Sequence, residues 1–186
     1  MAGLFALSVD PKNKKNFPKD LFWGTFYQQH LGEDWSGLGI WNGKEIEPPR
    51  TQPGLFRFSF SEDMITPGTE GIGYCGESRE PILIDSRLGK ICACFCGNII
   101  NREKLVERFK NFGHSFSWEG KDIEVIVKLI IKGVDIVDGI KKMTDEIEGT
   151  YSLLILSSEG IYAACSPDGH WPFSYRSKRR SGNSCF

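Results

Sequence analysis

The chain lacks the features that would assign it to a membrane or a nucleic acid. No apolar run reaches the roughly 18 residues of a membrane-spanning helix, so no membrane partner is expected. Charge of one sign is missing too. The 23 Lys and Arg stand against 24 Asp and Glu, a net charge of −1. A general nucleic-acid binder carries a basic excess, and none is expected as a partner here. The start has no basic segment leading into an apolar one, which argues against a secretory signal. Nor is there a spread cysteine framework. Three of the six cysteines, Cys92, Cys94 and Cys96, cluster on one apparent strand, with Cys75, Cys165 and Cys185 elsewhere. Free thiols and a cytoplasmic setting are expected.

What is present suits one domain with a substantial core: 186 residues, 40% hydrophobic and 25% charged. Strands are predicted at 3–9, 36–41, 55–60, 70–75, 81–85, 90–95, 150–157 and 160–165, with a loop over 48–53. Asn42-Gly43 is a hairpin-turn signal. Helical spacing covers 20–30, stopped at Gly32, and then 101–112, 122–131 and 134–147. Strands flank a helical middle, so the class is α+β. Residues 1–173 form the expected domain. Residues 174–186, with Arg176, Lys178, Arg179 and Arg180 among Ser, Gly and Asn, read as a basic polar tail, either solvated or a contact arm.

Cys92, Cys94 and Cys96 alternate and would share one strand face, spaced by about 6.6–6.8 Å. Two thiolates on one zinc need sulfurs nearer about 4 Å, so small packing thiols are expected and no metal. Trp23, Trp35, Trp41, Phe56, Phe58 and Phe60 read as core or sheet-face residues. His30 reads as a helix-end residue, His114 as exposed, and Asp34 as a turn residue rather than half of an acid pair with Glu33.

Several segments, in order, resemble a class II glutamine amidotransferase domain of the N-terminal-nucleophile type. Similar glutaminase domains occur in amidophosphoribosyltransferase and glutamate synthase. Gly3-Leu4-Phe5 resembles the family's Cys-Gly-Ile-Phe start, and Gln29-His30-Leu31-Gly32-Glu33-Asp34 resembles Gln-His-Arg-Gly-Gln-Asp. Gly71-Ile72-Gly73-Tyr74 is similar to Gly-Ile-Gly-His, and Cys96-Gly97-Asn98-Ile99 to Asn-Gly-Asn-Leu. Asp122-Ile123-Glu124 resembles Asp-Ser-Glu. Glu148-Gly149-Thr150-Tyr151, followed by Ser166-Pro167-Asp168-Gly169, is similar to the closing motifs. The resemblance implies a four-layer αββα sandwich.

Releasing ammonia from glutamine needs a thiolate, a base, oxyanion donors and a clamp for the α-carboxylate and α-ammonium. By resemblance the nucleophile position is Ala2, a methyl group, and the oxyanion positions are Cys96 and Gly97. The carboxylate-binding Arg falls at Gly76, with Arg79 three residues on as its possible substitute; Asp122 would hold the ammonium. Gly32 matches the family and is equally a helix stop. Cys75 is a candidate replacement nucleophile that would need His30 or His114 as base. The leading expectation is a catalytically silent domain serving as an interaction or ligand-binding module. The alternative is an active glutaminase, altered at position 2, that feeds ammonia to a partner synthase. A purely structural dimerisation module is the third. Glutamine or a related small molecule, a synthase subunit or a second copy of the chain are the expected partners, and no cofactor is expected.

Overall fold

Alternation along β1 (Gly3–Ser8) sets the layering. Leu4 and Ala6 face one side, Phe5 and Leu7 the other, the period of two that a strand imposes. The computed structural model describes residues 1–117, 121–170 and 172–177. β1 pairs with β4 (Glu70–Gly76), which pairs with β2 (Trp35–Trp41), which pairs with β3 (Arg50–Pro53), all antiparallel. A second antiparallel sheet runs β5 (Ile82–Ser86), β6 (Gly89–Ile99), β7 (Gly149–Ser157) and β8 (Gly160–Cys165) in spatial order.

Three apolar interfaces hold four layers. Between the sheets lie Ile72 and Tyr74 of β4, Cys92 and Cys94 of β6, and Leu154 and Leu156 of β7. The outer face of the first sheet meets α1 (Phe17–Phe26) through Phe17, Leu21, Leu38 and Ile40. The outer face of the second, with Ile91, Ala93, Leu153 and Ile155, meets α3 (Arg102–Asn111), α4 (Asp122–Ile130) and α5 (Ile136–Glu146). The stack is therefore the αββα sandwich expected from the resemblance. α1 lies so near β4 that a Cβ on Gly73 would sit 1.9 Å from Thr25 Oγ1, and only glycine fits. No helix among the described residues is long and apolar enough to cross a membrane.

Several elements differ from expectation. The strand predicted over 55–60 is a one-turn helix, α2 (Phe56–Ser59). Phe56 and Phe60, four apart, stack at 4.8 Å and join the α1 core, while Phe58 is 74% exposed beneath the Arg57 guanidinium. The loop predicted over 48–53 contains β3, an edge strand that ends at Pro53, where the missing N–H costs no central ladder bond. After Asn42-Gly43 the chain returns only through one bridge, Trp41 to Ile46. α1 begins at Phe17 because Pro18 suits a helix's first turn. β6 runs on to Ile99, which carries Cys96, Gly97 and Asn98 into the sheet. Trp171 and the tail from Lys178 to Phe186 lie outside the described residues. Phe173 packs against the inter-sheet core.

Candidate functional site

A cleft of about 340 Å³ opens where the start of β1, the end of β4, the far half of β6 and the first residues of α3 and α4 converge. Ala2, Cys96, Gly97 and Asp122 all line it, so positions scattered from 2 to 122 meet at one place. The Ala2 backbone N–H donates to Cys96 Sγ at 3.3 Å. Burial raises the Cys96 thiol above its ordinary value, against the opposing effect of that N–H and of the terminal ammonium. Gly97 has φ +151, and a Cβ there would lie 2.1 Å from Thr150 O across the β6–β7 ladder, so no side chain can intrude.

Gly76 ends β4 directly behind Ala2. A Cβ on it would lie 2.2 Å from Tyr74 Oη and 2.7 Å from the Ala2 methyl. Tyr74 thus fills the space a side chain at 76 would need. Its hydroxyl accepts the Ser78 N–H at 3.1 Å, and burial raises the phenol well above its ordinary value. Gly32 does not line the cleft. It seats against Gly76, where a Cβ would meet Gly76 Cα at 2.4 Å.

Arg79 points elsewhere. Its Nε donates to Thr51 Oγ1 at 2.9 Å, its guanidinium lies 5.9 Å from the Trp35 ring centroid, and it lines a neighbouring cleft with Glu124 and Lys128. Cys75 faces α1, its thiol donating to Thr25 O at 3.7 Å, with burial pushing it up to about 12. His30 Nδ1 lies 2.9 Å from Tyr27 O at the end of the α1 region, and His114 is exposed against Phe109. Neither lines the cleft.

Four charged residues of the cleft were missed from sequence. Glu80 is 2% exposed, and its Oε2 accepts the Phe95 N–H at 2.7 Å. Burial pushes its carboxyl up to about 8, reinforced by the Asp122 charge and opposed by the Phe95 N–H and by Lys121. Glu77 pairs with the Met1 ammonium, and Arg102 pairs with Asp122 through Nε at 3.7 Å. Burial raises Asp122, while Arg102 and the Ile99 backbone oppose the rise. The fourth, Lys121, precedes α4 at the cleft wall. A glutamate between two apolar strands looks like any turn residue.

No group of three or more His, Cys, Asp or Glu among the described residues is arranged to hold a metal ion. Chemically, the cleft offers a thiol, a buried carboxyl, backbone donors and two fixed ion pairs. Position 2 offers only a methyl.

A sequence profile described as a glutamine amidotransferase domain matches residues 72–186. Amidophosphoribosyltransferase of Methanothermobacter thermautotrophicus is 28% identical over 180 residues, covering 89% of this chain and 38% of the relative. The chain thus spans under two fifths of that relative's length. A structure described as the allosteric regulatory enzyme of purine biosynthesis superposes with TM-score 0.79 at 21% identity, over 91% of this chain and 38% of that one. Glutamine phosphoribosylpyrophosphate amidotransferase from B. subtilis, complexed with ADP and GMP, gives 0.77 at 22% with the same coverage. The two superpositions carry the fold, and the profile, matching more than half the chain, carries the family. The chain belongs to the class II glutamine amidotransferase family.

Proposed function

We propose that this chain is a glutamine amidotransferase-like module that holds a glutamine-like carboxamide in the cleft without hydrolysing it at position 2. The observation that carries the reading is the convergence of Ala2, Cys96, Gly97 and Asp122 on one cleft, with a methyl where the reaction needs a nucleophile. Gly76 supports it. An Arg at 76 would displace the Tyr74 ring, so the site is rebuilt and not merely missing one atom. In this reading Gly97 offers its backbone N–H to the carboxamide oxygen, and Asp122 stays with Arg102. The likeness to amidophosphoribosyltransferases supports a partner that uses the bound molecule or the domain surface, either a synthase subunit or a second copy of the chain.

Ammonia release from glutamine is the test. The unaltered chain should release none above buffer. Ala2→Cys, with Met1 excised and checked by mass, should stay far below an ordinary turnover of about 10 s⁻¹. A loss of about 2.7–4 kcal/mol is expected for each missing oxyanion donor, and Cys96 is a weaker donor than an amide. Turnover by Ala2→Cys within about tenfold of that ordinary value would overturn the rebuilt-site reading.

One observation favours a second reading, an active glutaminase. Cys96 Sγ lies in the cleft within reach of the Ala2 nitrogen. If the unaltered chain releases ammonia and Cys96→Ala stops it, that thiol has replaced the nucleophile.

A further inference from the structure

We propose that Glu80 is the receptor for a primary ammonium group on the cleft's ligand, which is a small amine bearing a carboxamide. The proposal rests on the ligand-holding reading above and names the charge that the site selects. Glu80 is 2% exposed, and Oε2 accepts its one hydrogen bond among the described residues, from the Phe95 N–H. No fully buried side-chain oxygen among the described residues is left without a partner, so the unbonded Oε1 keeps a little exposure, and Glu80 lines the cleft. A carboxylate offers about four lone-pair sites, of which the Phe95 N–H takes one.

The surrounding groups favour a cation there. The Met1 ammonium is taken by Glu77, and Arg102 is taken by Asp122. Lys121 acts on Glu80 more weakly than the opposing Asp122 carboxylate does. Tyr74, Cys94 and Cys96 face the same region, and all three are raised by burial, so they are neutral near pH 7. The buried carboxyl therefore holds a proton until a cation replaces it. An alkylammonium with a pKa of about 10.4 stays charged throughout that exchange.

The experiment is calorimetric titration of the full chain with 4-aminobutanamide and, separately, L-glutamine, from about pH 6.5 to about pH 8.5. 4-Aminobutanamide should bind, with affinity rising by up to about tenfold per pH unit and levelling above about pH 8, as a single competing proton requires. Glu80→Gln, whose amide oxygen can still accept the Phe95 N–H, should weaken binding at least about tenfold and abolish the pH dependence. Asp122→Asn should keep that dependence. Should Glu80→Gln fail to fold, carboxyl-carbon NMR of the unaltered chain decides. The Glu80 midpoint should fall from about 8 on saturation with 4-aminobutanamide, and an unmoved midpoint overturns the proposal. Binding of either probe that is indifferent to pH and to Glu80→Gln overturns this inference and leaves the ligand-holding reading intact. Binding of neither probe overturns both.

Discussion

Burying a carboxyl group makes the folded chain a stronger base than its unfolded form. Glu80 is raised to about 8 when folded, against about 4.3 in an unfolded chain. Between those values the folded state binds the extra proton, so this residue's stabilising contribution is complete at low pH and is lost as pH rises through the window. The slope is at most about 1.4 kcal/mol per pH unit. In the same direction, burial raises Asp122. Thermal melts should therefore find Glu80→Gln close to the unaltered chain at about pH 5 and more stable than it at about pH 8.5. A variant that is less stable at the alkaline end would show that Glu80 is ionised and well paired in the folded chain. The two kinds of residue were unequally legible. Ala2, Cys96, Gly97 and Asp122 stand in recognisable motifs and line one cleft. Glu80 acquires its importance only from burial, which no local pattern announces. Arg79 was a plausible neighbour along the chain, but Thr51 and Trp35 draw it to another cleft.

At the scale of elements, legibility followed length. α3, α4 and α5 and the strands β1, β2, β4 and β7 are long enough for period 3.6 and period 2 to separate. Phe56, Phe58 and Phe60 fit alternation and one helical turn equally well. Tertiary packing chose the turn, because α1 and β2 offer a pocket to the i, i+4 pair. Truncation distinguishes the two forms. Phe60→Ala should cost about 3–5 kcal/mol, as for a buried aromatic. Phe58→Ala should stay within about 0.5 kcal/mol, as for an exposed site. Chemical denaturation of both variants is the check, and equal losses would mean that all three rings share a core. The extension of β6 past Phe95 has another cause. Gly97 resembles a strand end in sequence, yet at φ +151, which glycine tolerates, the strand keeps pairing with β7 as far as Gly149.

For the whole molecule, the order of strands and helices was enough to anticipate the class. The three interlayer cores explain why the cysteines behave as distinct populations. Cys165 is exposed, Cys96 lines the cleft, and Cys75, Cys92 and Cys94 are sealed at 0% exposure. Among the cysteines of the described residues, a water-soluble alkylating reagent followed by mass spectrometry should modify Cys165 first and Cys96 more slowly. Cys75, Cys92 and Cys94 should react only as the chain unfolds, and together. Reaction of Cys92 at the rate of Cys165 would mean that the sheets part locally.

The placement of β1 also matters while the chain is being made. β1 is an edge strand whose single neighbour, β4, pairs Gly3 with Cys75. The ribosome releases that partner roughly 70 residues later, so at about 5–20 residues per second β1 waits some 4–14 s. During that interval an apolar strand is exposed with no ladder to join, the condition that invites chaperones or misassembly. Ala2 enters the cleft only when this wait ends. The cleft is whole only after Asp122 of α4 has also emerged, so nothing bound in it can guide the first steps of folding.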